Sequence, residues 1–383
     1  MANKTKVLYL MAGHPSIFGG GKRVFLQIMK YFNKNEFQFY SCCAFNKEQE
    51  GFLRKQGGTI VHIDIQHGGI WPSMKKLLNL LRDEKIDIIH SQGARADFYA
   101  RLAAKLGEKK TKVINTVAVL VEGYDAGILR KKVYCALDRF SEMYVDKFIA
   151  VSEVLKEKLI TTHSIPEQKI VTIYNGIELQ EYRNHDFDRS CREIRKEFCI
   201  EDGAFLIGAI GRMVWEKGFE YLIRCIPEII KTFPKVKILL VGDGPRRERL
   251  EALGERLKIK NNIVFTGFRS NIREILSAID ILVVPSILEG FPMITLEAMA
   301  MAKPIIATNI DGITEQITDG ENGILVPPKN PEAIAKAVIR ILADKESSKA
   351  MGLEARKKVE QEFSVEKMVR ETEKVYLSLL KAN

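Results

Sequence analysis

Residues 281–302 read ILVVPSILEGFPMITLEAMAMA. The apolar run Ile281–Val284 is typical of a short buried strand, and Ala298–Ala302 is typical of a helix. The segment between them therefore predicts a strand-to-helix turn, with Glu289 in the loop and Glu297 roughly one turn inside the helix.

The predicted start of this helix has the features of an anion site. Pro292 fits the first helical turn, where its missing N–H costs nothing. The free N–H groups of Met293, Ile294 and Thr295 then point out of the helix N-terminus, where phosphate is the usual ligand. Carboxylates beside a phosphate need another role, and accepting hydrogen bonds from sugar hydroxyls is such a role. Ordinary solvated acids near a helix start are the alternative interpretation.

The composition is that of a globular protein with more than one core. The chain has 383 residues, of which 46% are hydrophobic and 28% charged, whereas single cores rarely grow past roughly 250 residues. No apolar run approaches the roughly 20 residues that span a bilayer, and the N-terminus shows no signal-peptide pattern. The six cysteines have no metal-ligand spacing. We therefore expect a cytoplasmic protein with reduced thiols.

The net charge of +10 indicates an affinity for anions. No zinc-finger spacing, aromatic RNA-binding strand or long basic block is present, so nucleic acid is not an expected partner. A basic cluster, Arg130, Lys131 and Lys132, lies in an amphipathic stretch that predicts a helix. The cluster is either a solvated helix face or a surface that rests on anionic membrane lipid, on the inner face of the membrane.

The first half alternates short apolar runs with amphipathic stretches, which predicts a doubly wound parallel sheet. Gly19, Gly20 and Gly21 follow the first predicted strand, where glycine lets backbone N–H groups approach a phosphate. A flexible turn is the alternative. His90 ends the predicted strand Ile86–His90, and ligands gather at the carboxyl ends of such strands. A structural, hydrogen-bonded histidine is the alternative there.

The second half starts the same alternation again. The polar run Glu178–Arg195 is the predicted linker, and a second α/β domain begins at Phe205. Arg212 and Lys217 directly follow its first strand, where two cations on one loop would suit a diphosphate. Phe268-Arg269 follows a later strand at the same edge of the sheet, where a nucleobase could rest against main chain.

Together these signals resemble the family 4 retaining glycosyltransferases. The resemblance covers nearly the whole chain, and its most specific element is the spacing of Glu289 and Glu297, supported by Arg212 and Lys217. It implies a GT-B fold, α/β throughout, with two facing Rossmann-like domains and a cleft between them. The expected domains are an acceptor-side domain over residues 1–175, a donor domain over 176–363, and a C-terminal helix over 364–383 that packs back on the first.

The resemblance also implies roles for individual residues. Arg212 and Lys217 would neutralise the donor diphosphate, while Glu297 would hold the ribose and Glu289 the transferred sugar. His90 joins Glu289, Lys217 and Arg212 as a catalytic candidate. The remaining implied donor contacts are backbone or pocket positions: Gly19, Gly20, Gly21, Phe268, Arg269, Gly290, Phe291, Pro292, Met293, Ile294 and Thr295.

The implied reaction retains the anomeric configuration, needs no metal or cofactor, and uses a nucleotide sugar, expected to be a UDP-sugar. The acceptor would be a glycan or a lipid-linked sugar in polysaccharide or glycoconjugate synthesis. The chain departs from the family at Asn115–Val121, which lacks a histidine that members often carry there. A soluble-acceptor enzyme of the sucrose- or starch-synthase type and a catalytically silent binding subunit are the alternatives. A dehydrogenase is disfavoured because no GxGxxG with a downstream acid is present.

Overall fold

A computed structural model of the chain describes residues 4–12, 19–108, 110–120, 128–183 and 186–381. The chain divides into two compact units. Unit 1 comprises Met1–Gly176 and Val365–Asn383, and unit 2 comprises Ile177–Ser364. Because apolar runs alternate with amphipathic stretches throughout, both units form parallel sheets covered by helices.

Unit 1 has a sheet of seven parallel strands among its described residues. These are β1 (Thr5–Met11), β2 (Phe37–Cys43), β3 (Thr59–Ile60), β4 (Ile88–Gln92), β5 (Lys112–Val117), β6 (Lys147–Ala150) and β7 (Ile170–Thr172). Its helices are α1 (Gly20–Tyr31), α2 (Lys47–Lys55), α3 (Ile70–Asp83), α4 (Ala94–Leu106), α5 (Ile128–Glu142) and α6 (Glu153–Thr161). The strand order is β3-β2-β1-β4-β5-β6-β7.

Unit 2 has six parallel strands among its described residues. These are β8 (Leu206–Ile210), β9 (Lys237–Val241), β10 (Ile263–Gly267), β11 (Ile281–Val284), β12 (Ile305–Thr308) and β13 (Ile324–Val326). Its helices are α7 (Phe187–Glu197), α8 (Phe219–Thr232), α9 (Arg247–Arg256), α10 (Ile272–Ala278), α11 (Met293–Ala300), α12 (Ile313–Gln316), α13 (Pro331–Ala343) and α14 (Lys345–Glu362). The strand order is β10-β9-β8-β11-β12-β13.

Each sheet has one point at which the strand order reverses. The reversal lies between β1 and β4 in unit 1 and between β8 and β11 in unit 2. Of the strands there, β1, β8 and β11 are mainly apolar on both faces because helices cover both sides of the sheet, whereas β4 carries the buried polar residues His90 and Ser91. Loops that leave neighbouring strands at a reversal diverge to opposite faces and open a crevice, where ligands bind in such folds.

The last helix, α15 (Val365–Lys381), belongs to unit 1. Its Tyr376 is 1% exposed, and the Tyr376 hydroxyl lies 2.6 Å from Nδ1 of His90. Glu373 accepts a 2.6 Å hydrogen bond from the backbone N–H of Asn33, at the end of α1. Helix α15 is therefore held to the first sheet by a buried contact and a surface contact.

Two predictions about local structure are wrong. The predicted linker Glu178–Arg195 contains most of α7, because Asp186 caps that helix and Ile194 packs into the core. The strand that was expected to end at His90 runs on to Gln92, because Gln92 pairs with both Met11 and Thr116. His90 therefore lies inside β4. Within the described ranges, no helix has the length and apolar character needed to cross a membrane.

Candidate active site

The loops that leave β8 and β11 meet at the reversal point of unit 2. Lys217, on the first loop, donates a hydrogen bond to Oε1 of Glu289 on the second, and the two side chains form an ion pair. The hydroxyl of Ser286 donates to the same carboxylate oxygen at 2.8 Å. Oε1 is thus held from two sides, while Oε2 of Glu289 accepts no hydrogen bond from the residues that the structure describes.

The backbones of these two loops are also joined directly. The N–H of Ile287 donates to the carbonyl of Glu216 at 2.6 Å. Gly218 has a φ of +62°, and a Cβ on it would lie 2.0 Å from the carbonyl oxygen of Pro285. Only glycine fits this approach, so the Gly218 position fixes how closely the Lys217 and Glu289 loops lie.

Helix α11 begins at Met293 with Pro292 as its N-cap residue, one position earlier than the predicted first-turn placement. No side chain caps this end of the helix. The carbonyl of Pro292 accepts a 3.1 Å hydrogen bond from Nε2 of Gln316, which is fully buried. A Cβ on Gly312 would lie 1.9 Å from the carbonyl oxygen of Gly290. The contacts with Gln316 and Gly312 therefore hold the start of α11 in place, and the first N–H groups of the helix are available to an anion.

Two further predicted contacts lie in the body of α11. Thr295 is fully buried, and its hydroxyl has no hydrogen-bond partner among the described residues. Glu297 is 4% exposed, one turn after the start of the helix. Phe291 is 4% exposed and packs edge-on against Phe363, 5.1 Å between ring centroids. The Phe291 ring thus anchors the turn at Gly290 to the core.

Arg212 lies on the same loop as Lys217 but has a different environment. Its side chain is exposed and makes no hydrogen bond or ion pair with the described part of the chain. An exposed, unpaired guanidinium on a loop at the carboxyl edge of the sheet is a group suited to bind an incoming phosphate. The loop therefore carries one cation that is already paired and one that is not.

The predicted base-binding position lies after β10. Phe268 is 60% exposed, whereas the guanidinium of Arg269 is ion-paired with Glu197 at 2.6 Å and stacks over Phe198 at 5.5 Å. The carbonyl of the preceding Gly267 accepts a hydrogen bond from Gly242. Because the Arg269 side chain is engaged, this position offers a ligand its main chain and the Phe268 ring.

The structure places the other predicted residues in unit 1. Gly19 is the N-cap residue of α1, and Gly20 and Gly21 form its first turn, so they are helical rather than part of a longer loop. His90 is 1% exposed, and its two ring nitrogens lie 2.6 Å from the hydroxyls of Tyr376 and Thr116. Burial lowers the pKa of His90 to about 3, so the ring is neutral. This geometry favours a structural role for His90.

One group of potential metal ligands is found among the described residues, also in unit 1. Its members are Asp138, Glu142 and His163, whose ligand atoms lie within 4.8 Å of one another. Asp138 is ion-paired with Arg101 at 2.6 Å, and Oε1 of Glu142 lies 2.6 Å from Nδ1 of His163. These ligand atoms are thus engaged with protein groups.

Sequence reasoning missed several residues that build the site. Ser286 and Gln316 hold Glu289 and Pro292, but their partners lie elsewhere on the sheet edge, so no local pattern marks them. Asp97 and Arg101 in unit 1 were also passed over. They lie four residues apart on α4, a spacing that is a recognisable charge-pair signal on a helix.

Comparisons with known proteins agree with this architecture. A sequence model described as "Glycosyl transferases group 1" matches residues 190–358, and one described as "Glycosyltransferase Family 4" matches residues 18–181. The structure of Anabaena HepE in complex with UDP-glucose superposes with a TM-score of 0.84 at 20% identity, covering 97% of this chain and 99% of that one. Two parallel-sheet α/β units of this kind define the GT-B fold.

Curated relatives span most of the chain. An uncharacterized glycosyltransferase of Methanocaldococcus jannaschii is 32% identical over 311 residues, 79% of this chain and 78% of that protein. N-acetyl-alpha-D-glucosaminyl L-malate synthase of Bacillus anthracis is 28% identical over 309 residues, 80% and 78% of the two chains. UDP-Gal:alpha-D-GlcNAc-diphosphoundecaprenol alpha-1,3-galactosyltransferase of Escherichia coli is 26% identical over 315 residues, 80% and 79%. The chain belongs to the family 4, group 1 glycosyltransferases.

Proposed function

We propose that this glycosyltransferase moves a sugar from a UDP-sugar to a glycan or lipid-linked acceptor, with retention of configuration and without a metal ion. The observation that carries the proposal is the Lys217–Glu289 pair beside the uncapped start of α11, with Arg212 unpaired on the same loop. Unit 2 is accordingly the donor unit, and unit 1 supplies the acceptor side.

The chemistry follows from where charge develops. Breaking the bond between a sugar and a diphosphate builds negative charge on the departing phosphate oxygens. Arg212, Lys217 and the first N–H groups of α11 are fixed positive groups, and they stabilise that charge more in the transition state than in the bound donor. These groups supply the neutralisation that a divalent metal would otherwise provide.

The carboxylates select the sugar rather than the phosphate. Lys217 and Ser286 hold one oxygen of Glu289, which leaves Oε2 to accept a hydrogen bond from a hydroxyl of the transferred sugar. Glu297, one turn into α11, takes the ribose hydroxyls. His90 is left out of the proposed catalytic set because both of its nitrogens are engaged in the core.

The identity of the donor rests on the relatives. HepE is described in complex with UDP-glucose, and the Escherichia coli relative is named for a UDP-galactose donor. The named acceptors differ, since one relative forms a malate glycoside and another acts on a diphosphoundecaprenol-linked sugar. A UDP-sugar donor is therefore the shared element, and the acceptor varies.

The test is a donor panel with product analysis. Purified protein is incubated with UDP-sugars and sugar acceptors, with and without EDTA, and the anomeric configuration of the product is read by NMR. We expect transfer or donor hydrolysis that EDTA leaves unchanged, and an α-glycoside from an α-linked donor. Loss of activity in EDTA would contradict the metal-independent mechanism, and a β-product would contradict retention. Inertness toward every donor would favour the silent-subunit alternative.

A second proposal concerns the membrane. Leu137 and Phe140 on α5 and Met143 just after it are 46%, 68% and 64% exposed, and Lys132 on the same helix is exposed too. The side chains of Arg130 and Lys131, the other members of the predicted basic cluster, lie outside the described residues. Apolar side chains beside basic ones match the chemistry of an anionic lipid surface. We propose that unit 1 rests on such a surface through α5, on the cytoplasmic face.

Flotation with vesicles that contain anionic lipid tests this surface. Phe140→Ser combined with Met143→Ser should reduce binding, and added salt should reduce it further. Trp71→Ser is the matched control, because Trp71 is 73% exposed on a different helix, α3. Equal flotation of the double variant and the wild type would contradict the assignment.

A further inference from the structure

Unit 1 contains a cavity of about 260 Å³ at the reversal point of its own sheet. The end of β1, the start of α4 and the end of β5 form its walls, together with parts of α5 and α6. Its lining includes the apolar residues Val117, Val119 and Leu120 and the polar residues Gln92, Asp97 and Arg101. Pockets for drug-sized ligands are larger, at roughly 300–1,000 Å³, so this cavity has room for one small unit.

Asp97 is the most buried carboxylate among the described residues that line the cavity. It is 7% exposed, and its Oδ1 accepts hydrogen bonds from the hydroxyl of Ser91 at 2.7 Å and from Nδ2 of Asn115 at 3.1 Å. No side chain of a described residue donates to Oδ2, and the backbone N–H of Gly93 is a weaker partner of this carboxyl group that acts to lower its pKa. Burial raises the pKa of Asp97 to about 7, which agrees with a carboxylate that is incompletely solvated.

Arg101 lies one turn further along α4 and is 2% exposed. Its Nε donates to Asn115 at 2.7 Å, and its Nη1 donates to Asp138 at 2.6 Å and Ser141 at 3.0 Å. Nη2 has no acceptor among the described residues. Asp97 and Arg101, which both line the cavity, therefore offer one acceptor and one donor that no described side chain satisfies, and their other contacts hold both residues in place.

The charges around the cavity are unbalanced. Asp97, Asp138 and Glu142 line it against the single guanidinium of Arg101, and His163 cannot reverse the balance even when it is protonated. A ligand that carries a carboxylate would meet buried negative charge here, which is costly at low dielectric. A hydroxyl can both donate and accept, and so it matches the open Asp97 oxygen and Arg101 nitrogen together.

We propose that this cavity binds one uncharged, hydroxyl-bearing sugar unit of the acceptor through Asp97 and Arg101, and that it excludes anionic acceptors. The proposal rests on the proposed function, since it specifies the acceptor of the same reaction. It separates this chain from a relative that is named for a malate acceptor, and it agrees with a lipid-linked acceptor whose terminal sugar is neutral.

The test compares two ligands that differ in one group. Methyl α-D-glucoside and methyl α-D-glucuronide are titrated into the full chain at pH 8, and binding is followed by saturation-transfer NMR. We expect the glucoside to bind at least about tenfold more tightly, a difference of about 1.4 kcal/mol. In Asp97→Asn the preference should fall severalfold, whereas Asp83→Asn, an exposed control on α3, should keep the wild-type ratio.

Three results would overturn the proposal. They are equal binding of both ligands by the wild type, an unchanged preference in Asp97→Asn, and no binding of either ligand at millimolar concentration. If circular dichroism shows Asp97→Asn to be unfolded, Glu142→Gln removes a second carboxylate from the cavity and is scored in the same way. UDP is titrated into the same samples. A wild-type protein that does not bind UDP but still prefers the glucoside would count against the proposed function and not against the cavity.

Discussion

The two cations of the candidate site differ in their partners, since Lys217 is paired with Glu289 and Arg212 is unpaired among the described residues. A lysine that must bind phosphate would not be expected to sit against a carboxylate. The arrangement is reasonable if Glu289 positions Lys217 and offers its second oxygen to the sugar, while the unpaired Arg212 attracts the diphosphate. Lys217 and Glu289 would then contribute to turnover, and Arg212 to the binding of the diphosphate.

Substitution of the pair should reduce turnover in a folded protein. Lys217→Met removes the positive charge that would stabilise the leaving diphosphate. Glu289→Gln removes the carboxylate that orients Lys217. Each should lower kcat by roughly 10²–10³-fold, the usual cost of one preorganised electrostatic contact. Glu332→Gln is the control, since Glu332 is exposed on α13 and pairs with Lys336 at 2.7 Å on the surface. Wild-type kcat in both site variants would refute the assignment.

Substitution of His90 should change the free energy of unfolding rather than turnover. Its pKa is about 3 in the folded protein and 6.5 in an exposed histidine, so between these values the unfolded chain binds a proton that the folded chain does not. Unit 1 therefore loses stability as the pH falls below about 6.5. The stability advantage of the wild type over His90→Gln should shrink between pH 7.5 and pH 5, by roughly 2 kcal/mol at most.

Scanning calorimetry at the two pH values measures this difference. The raised pKa of Asp97 has the opposite effect on stability, but it is common to both proteins and cancels. His62→Gln serves as the control because His62 is an exposed histidine of the same unit. An advantage that stays constant or grows toward pH 5 would show that His90 is not held neutral.

At the scale of elements, α11 is positioned by close backbone approaches as much as by its own sequence. Gly312 has an ordinary helical φ of −68°, so an alanine there is disfavoured by contacts and not by backbone strain: its Cβ would meet the carbonyl of Gly290 and lie 3.1 Å from the Phe291 ring. That carbonyl belongs to the turn that presents Glu289 and starts α11. An alanine at position 312 therefore tests the effect of steric contact alone, without added backbone strain.

Gly312→Ala should cost about 1–3 kcal/mol of stability, as overpacking generally does, and it should weaken UDP binding by displacing the turn. Thermal unfolding and a UDP titration give the two readouts. Gly51→Ala on α2 is the control, because nothing lies within 4 Å of the added Cβ, and there alanine should be neutral or slightly stabilising. A Gly312→Ala variant with wild-type stability would show that the turn adapts.

The elements also show what a sequence can predict. Ile281–Val284 was predicted with the bounds that the structure has, because it is a wholly buried apolar run. The GT-B fold is confirmed as well. The predicted end of β4 was wrong. The strand continues to Gln92 because Gln92 pairs with two neighbouring strands, and no local sequence pattern indicates that pairing.

The candidate site was predicted unevenly for the same reason. Arg212, Lys217 and Glu289 follow strand ends, and parallel topology brings such residues to one edge. Which of them touch, and that Ser286 and Gln316 support them, depends on loop geometry that only the folded chain defines. The roles of these residues in catalysis stay predictions until they are measured.

At the scale of the whole molecule, the chain leaves unit 1 after Gly176 and returns to it at Val365. Deleting Val365–Asn383 would remove α15 and leave buried His90 without its Tyr376 partner, a loss that typically costs about 1–3 kcal/mol in addition to the lost packing. We expect the truncated chain to show protease-sensitive segments in residues 4–176 and still to bind UDP through unit 2.

Limited proteolysis with mass spectrometry, run beside a UDP titration, tests this expectation. A chain that lacks only residues 382–383 is the control and should behave as the wild type. Loss of UDP binding together with an intact protease-resistant unit 1 would contradict the division of roles between the two units.

The central claim is that the reversal point of unit 2 binds the diphosphate of a UDP-sugar. Calorimetric titration of UDP and of uridine into the wild type and into an Arg212→Ala, Lys217→Ala double variant tests it most directly. We expect the double variant to bind UDP at least about tenfold more weakly, a loss of about 1.4 kcal/mol, with little change for uridine. Equal UDP affinity in the wild type and the double variant would contradict it.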